Sequence, residues 1–208
     1  MSFPYVPGRT VEVPEIEYRD GIRLDPARSA VVVVDMQNDF VKPGGSLLVE
    51  AAADTIPNIR RLIDAARKAG ARVVYTQDTH TEGDPEWEIW PEHCRKGTHG
   101  WEIVEELAPE DGDLVVEKNR YDGFYGTNLN HELSRVWKVD NLVIVGTVSS
   151  ICVAHTAASA GLRWYNIVVP ADGISALTEF DQALTLRQAS WLYTGEVVKT
   201  IKDIQFAK

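Results

Sequence analysis

Four consecutive valines, Val31–Val34, preceded by Ala30, constrain this chain more than any other stretch. A β-branched run without polar alternation is what a strand needs when neither of its faces meets water. Such strands belong to parallel sheets covered by helices on both sides. The rest of the chain keeps the alternation that this demands. Further strands are expected at Ala71–Gln77, Asp113–Glu117, Leu142–Val145, Asn166–Val169 and Val197–Thr200. Helices are expected at Asp54–Ala69, Leu129–Trp137, Ile151–Leu162 and Phe180–Tyr193. In the first of these, Ile56, Ile59, Leu62, Ile63 and Ala66 recur at helical spacing. Asp54 is placed to cap it, Pro57 is expected in the first turn, and Gly70 stands where a terminating glycine belongs. The fold read from this pattern is α/β: a single-domain, three-layer α/β/α sandwich on a six-stranded, mostly parallel sheet. Residues 1–28 read as an irregular N-terminal arm and residues 29–208 as the domain.

Composition narrows the function. With 31 acidic and 21 basic residues the net charge is -10, which repels phosphate backbones and argues against a nucleic-acid partner. No apolar stretch reaches 18 residues and Met1–Glu17 has no apolar core, so neither a membrane span nor a signal peptide is expected. Two cysteines, Cys94 and Cys152, are too few for a disulfide framework and suit a reducing, cytoplasmic location.

In open α/β sheets, ligands bind beyond the carboxyl ends of the strands. The residues that follow the apolar runs are Asp35, Asp78, Lys118 and, after a short turn, Cys152. Two acids, a lysine and a thiol are therefore expected at one sheet edge. A thiol between a strand and a helix feels the positive end of the helix dipole, which is expected to lower its pKa. Backbone N–H groups in that turn can hold an oxyanion, and Asp35 can move a proton between thiol and leaving amine. Taken singly, each residue also fits a plainer role: Cys152 as a small buried hydrophobe, Asp35 as a turn cap, Lys118 as a solvated strand end. Cys152 and His155 share a helix face, but a pair on one helix rarely aims both groups at one carbonyl, so His155 reads as helix packing.

The segment Asp78–Gly112 is long and aperiodic, and holds Trp87, Trp90 and Trp101. A loop of this length in a compact domain is usually functional or disordered, and the aromatic content argues against disorder. Asp78 and His80 point to the same side of an extended segment. With His93 they form an Asp/His/His set suited to Zn²⁺ or another divalent transition metal. Glu86 is a further candidate ligand. Spacing alone leaves a plain polar loop as the alternative.

At these residues the chain resembles the isochorismatase-like cysteine hydrolases, and within them the nicotinamidases. The carriers are Val33-Val34-Asp35-Met36-Gln37-Asn38-Asp39-Phe40, Asp78-Thr79-His80, Trp90-Pro91-Glu92-His93-Cys94 with Gly97-Thr98, Lys118-Asn119-Arg120-Tyr121 with Phe124-Tyr125-Gly126-Thr127, and Gly146-Thr147-Val148-Ser149-Ser150-Ile151-Cys152-Val153. The resemblance implies a catalytic triad of Asp35, Lys118 and Cys152, a cis Thr147–Val148 peptide, and an oxyanion hole from the N–H groups of Val148 and Cys152. It also implies a metal on Asp78, His80 and His93, with Phe40, Trp90 and Tyr121 around the substrate ring. The implied activity is hydrolysis of nicotinamide to nicotinate and ammonia through a Cys thioester, by a homo-oligomer acting on a small amide. Thr79 stands where nicotinamidases commonly have Trp, and Val148-Ser149-Ser150 departs from their usual triplet. Two alternatives stand beside this reading. One is a metal-independent ureido or carbamoyl amidohydrolase with the same triad. The other is a catalytically silent binding or assembly protein on the same fold.

Overall fold

In the computed structural model, residues 12–207 are described together with Gly8 and Thr10. The valine run is the central strand β2 (Ser29–Val34), and every residue in it is buried. Its side chains alternate between two cores. Val31 and Val33 pack on one face with Ile59, Leu62 and Ile63. Ala30, Val32 and Val34 pack on the other with Leu129, Ala157 and Leu186. Each such fully buried aliphatic side chain contributes about 1.5–3 kcal/mol of transfer free energy, so a polar residue on either face of β2 would be costly.

On either side of β2 lie β3 (Arg72–Asp78) and β5 (Asn141–Thr147), both parallel to it. The sheet continues through β4 (Leu114–Lys118) beyond β3, and through β6 (Asn166–Pro170) and β8 (Glu196–Val198) beyond β5. A seventh strand, β7 (Ile174–Ser175), pairs with the end of β5. All of these pairings are parallel. The sheet thus has one strand more than the pattern predicts, because two residues carry no period.

A second difference concerns the arm. β1 (Ile22–Leu24) pairs in parallel with β9 (Ile204–Phe206), and Arg19 bridges to Val198. The described part of the arm is therefore attached at two points instead of being irregular throughout, and residues 1–7, 9 and 11 lie outside the described residues.

The helices are α1 (Asn38–Val41), α2 (Ala52–Ala69), α3 (Leu129–His131), α4 (Ala154–Leu162) and α5 (Glu179–Arg187). Helix α2 starts two residues before the expected cap, so Asp54 lies in its first turn, where a carboxylate suits the helix dipole. Pro57 falls inside the helix, and Gly70 ends it in the left-handed conformation at φ 83°. The other three expected helices each carry a wider π turn, at Glu132–Val136, Ser149–Val153 and Gln188–Leu192.

The sheet is drawn tight where the chemistry-bearing residues emerge. Gly146 sits at φ 117°, and a Cβ there would lie 2.1 Å from the Val34 carbonyl oxygen. Only glycine lets β5 pass β2 this closely, which brings the turn carrying Cys152 toward Asp35. No described helix is long and apolar enough to cross a membrane.

Candidate active site

Asp35 leaves β2 in the left-handed conformation, φ 51°, and Gln37 N–H closes back onto its carbonyl at 2.8 Å. The turn sends the Asp35 carboxylate inward, where Thr76 Oγ1 donates to it at 2.7 Å. Parallel register sets Asp78, at the end of β3, opposite Lys118, at the end of β4. Lys118 Nζ lies 2.7 Å from Asp35 Oδ2, 3.0 Å from Asp78 Oδ1 and 3.7 Å from Cys152 Sγ. The expected triad residues are thus brought together, at 0%, 1% and 5% exposure for Asp35, Lys118 and Cys152. A buried ammonium between two carboxylates and a thiol is compensated, whereas any one of these charges alone would not be.

The electrostatics revise one expectation. Burial pushes the Cys152 thiol up, Lys118 pulls it down, and the carboxylates of Asp35 and Asp78 push it up again; the net shift is upward. The helical turn and the lysine do not offset desolvation. Asp35 is itself raised by burial, against the pull of Lys118. The same two carboxylates hold Lys118 protonated against burial.

The Thr147–Val148 peptide is cis, and Cys152 sits within the turn Ser149–Val153 that follows it. His155 forms no pair with the thiol. It is exposed, its Nδ1 donates to the Ile151 carbonyl at 2.7 Å, and its ring is 5.5 Å from Tyr121. Cys94 is a buried core residue whose thiol is raised strongly by burial.

Asp78, His80 and His93 also come together, and Glu86 joins them. One donor atom from each of the four lies within 4.8 Å of all the others, and all four residues are buried. His93 Nδ1 donates to the Pro91 carbonyl at 2.8 Å, which fixes its proton and turns Nε2 inward. His80 Nδ1 faces Asp84 Oδ2 at 2.9 Å and its Nε2 faces Asp78 Oδ2 at 3.0 Å. Two imidazoles with their outer nitrogens engaged and two carboxylates on the inside form a donor set that fits a divalent transition metal. These side chains also act on one another electrostatically. Burial raises Asp78, but Lys118 and the two histidines hold it well below the usual carboxylate range. His80, lowered by burial, is pushed up to about 9 by Asp78 and Asp84.

The loop that carries these ligands is pinned by its tryptophans. Trp87 Nε1 donates to the His93 carbonyl at 3.2 Å, Trp90 Nε1 to Tyr121 Oη at 3.0 Å, and Trp101 Nε1 to Thr79 Oγ1 at 2.9 Å. Thr79, the departure noted above, therefore serves as an acceptor for the loop.

A cavity of about 260 Å³ lies between the thiol and the four-donor group. Phe40, Trp90 and Tyr121 line it as expected. Leu47, Val49, Ile151 and Leu177 line it too, and nothing in their spacing marks them in sequence. Asp84 and Arg120 lie against the donor group; Asp84 stands one turn-length after His80, and Arg120 falls in the Lys118-Asn119-Arg120-Tyr121 motif with no role marked for it.

The isochorismatase domain matches residues 29–202. Over 175 residues the chain is 36% identical to a ureidoacrylate amidohydrolase, RutB, of Agrobacterium fabrum, covering 71% of this chain and 76% of that protein. Among solved structures it is similar to N-carbamoylsarcosine amidase from Thermoplasma acidophilum, with TM-score 0.75, 38% identity and coverage of 82% of this chain and 95% of that one. It is also similar to the pyrazinamidase of Pyrococcus horikoshii in complex with zinc, with TM-score 0.77, 28% identity and coverage of 82% and 98%.

Proposed function

The chain belongs to the isochorismatase family and is an amidohydrolase within it; from that premise we propose that it releases ammonia from the carbamoyl end of a ureido or N-carbamoyl compound. The observation that carries the amide chemistry is the position of Lys118 Nζ between Asp35 and Cys152, at 2.7 and 3.7 Å. The substrate class is supported by the identity to the ureidoacrylate and carbamoylsarcosine enzymes, which exceeds that to the pyrazinamidase. Nicotinamide therefore yields first place to the ureido reading.

The proposed steps are these. Asp35 takes the thiol proton as Sγ attacks the carbamoyl carbon, and the N–H groups of Val148 and Cys152 receive the oxyanion. The C–N bond breaks, Asp35 returns its proton to the departing nitrogen, and ammonia leaves. The carbonyl carbon is now bonded to Sγ. Water, deprotonated by Asp35, attacks it and expels the Cys152 sulfur, which recovers a proton. From a ureido compound the product is a carbamic acid, which loses carbon dioxide to give the amine. Lys118 remains protonated and holds Asp35 in place throughout.

Asp78, His80, Glu86 and His93 would hold a divalent ion, zinc being the natural occupant of such a set. When bound, it supplies a Lewis-acidic anchor for a polar end of the substrate. A second reading, an aromatic carboxamide of the nicotinamide or pyrazinamide kind, is favoured by two observations. Asp78, Glu86 and His93 of the donor group line the same cavity as the thiol, and among the described residues lining it none is an arginine or lysine that would pair with a substrate carboxylate. Ammonia release from N-carbamoylsarcosine, ureidoacrylate, nicotinamide and pyrazinamide, compared as kcat/KM, separates the two. We expect the carbamoyl compounds to lead by at least about tenfold, a difference of roughly 1.4 kcal/mol in the barrier. A lead for nicotinamide or pyrazinamide puts the second reading first. No release from any of them, by protein with Cys152 intact, points to a silent binding role.

A further inference from the structure

Arg120 is not among the metal donors and does not touch the thiol, yet it grips the outside of the donor group. Its Nη1 donates to Asp84 Oδ1 at 3.1 Å and Oδ2 at 3.2 Å, and lies 3.7 Å from Glu86 Oε2. Asp84 in turn faces His80 Nδ1 at 2.9 Å and accepts the Glu86 backbone N–H at 2.9 Å. Glu86 thus has its outer oxygen within ion-pair range of Arg120, while Oε1 faces inward, 3.9 Å from His80 Nε2 and 4.0 Å from His93 Nε2. The Asp84 side chain is 9% exposed and that of Glu86 4%, while Arg120 is 39% exposed. Arg120 is thus the outer wall of the group. Asn119 completes the attachment by donating to the Thr79 carbonyl at 2.7 Å.

We infer that Arg120 and Asp84 act together as a brace that sets the affinity and geometry of the metal site: Asp84 orients His80, and Arg120 restricts Glu86 to presenting one oxygen. This rests on the reading that the four-donor group binds an ion. The chemistry supports it. A carboxylate on the outer nitrogen of a ligating histidine fixes its orientation and strengthens it as a donor, and loss of such a partner typically costs 10–100-fold in metal affinity. Arg120 stands two residues after Lys118, so one short segment holds both the thiol centre and the ion group. Both are positioning residues, since neither faces the reacting atoms.

The test is Co²⁺ binding to chelator-stripped full-length protein, followed by visible absorption and by competition with a chelator of known affinity. Wild type is expected to take up one Co²⁺ per chain. Arg120→Gln and Asp84→Asn should each weaken binding by about 10–100-fold and change the absorption band, with metal-free melting temperatures within a few degrees of wild type. The double variant should lose little more than the larger single loss, because one brace is broken twice. Arg120→Lys, which keeps the charge on a shorter side chain, should recover part of the affinity. Arg19→Gln, which breaks the remote pair with Glu196, should leave binding unchanged. Variants that bind Co²⁺ within twofold of wild type overturn the inference alone. So do losses that multiply in the double variant. A wild-type protein that binds no Co²⁺ overturns the inference together with the metal reading beneath it.

Discussion

The thiol centre and the four-donor group share the Lys118–Asp78 contact, yet they are built from different material. Asp35 and Lys118 lie at the ends of sheet strands, and the turn to Cys152 follows directly from β5; backbone register places all three. Of the donors, only Asp78 lies in a strand. His80, Glu86 and His93 belong to a loop held by side-chain hydrogen bonds that Trp87, Trp90 and Trp101 donate and Asp84 accepts. On the proposed reading, the sheet fixes the bond-breaking chemistry and the loop fixes what is held for it. Damage to the first should appear in turnover, and damage to the second in selectivity and metal content.

The largest effect is expected at the sheet. Cys152→Ala should lower turnover about 10⁴-fold or more with the fold intact, as for removal of a nucleophile from a group acting as a unit, while Cys94→Ala stays within a fewfold. Ammonia release and melting temperature check both. Asp35→Asn should cost a comparable factor, and adding it to Cys152→Ala should cost almost nothing further; independent, multiplying losses would dissolve the unit. Lys118→Met should also unfold the protein more readily, by about 3–5 kcal/mol, since Asp35 and Asp78 would be left buried without their cation. Urea titration reads that loss directly.

This contrast also explains what was legible. Asp35, Lys118 and Cys152 could be read because each follows an apolar run whose meaning is unambiguous. Asp78, His80 and His93 could be paired only through local alternation and resemblance. Asp84 and Arg120 could not be found, because their contacts depend on a short 3₁₀ turn at Pro85–Glu88 that leaves no period. The strands β1, β7 and β9 were missed for the same reason, with two or three residues each. The upward direction of the Cys152 shift comes from depth of burial, which a local motif does not show. The substrate class is not legible in the metal pattern alone: Asp78, His80 and His93 point to an aromatic carboxamide, while identity along the rest of the chain favours a carbamoyl compound.

The loop variants sharpen the comparison at smaller scale. Removing metal, or His80→Ala, should change the ratio of kcat/KM between aromatic carboxamides and carbamoyl compounds by about 10-fold, against a much smaller change in melting temperature. An unchanged ratio would mean that the loop does not select substrate. Tyr121→Phe removes the acceptor of Trp90 Nε1 and should raise KM a fewfold with kcat nearly unchanged. The smallest effect is expected for Trp101→Phe, which loses the indole bond to Thr79. It should cost about 1 kcal/mol of stability and leave turnover within twofold.

The central claim is that the sheet edge carries out amide hydrolysis through a covalent bond to Cys152. Turnover in the presence of hydroxylamine tests it most directly, because a carbonyl held on sulfur partitions between water and the added nucleophile. The account predicts that ammonia release continues while an N-hydroxy product, a hydroxamate or a hydroxyurea, accumulates, and that Cys152→Ala forms neither. Ammonia release that persists in Cys152→Ala, or proceeds in wild type with no N-hydroxy product at any hydroxylamine concentration, would contradict it.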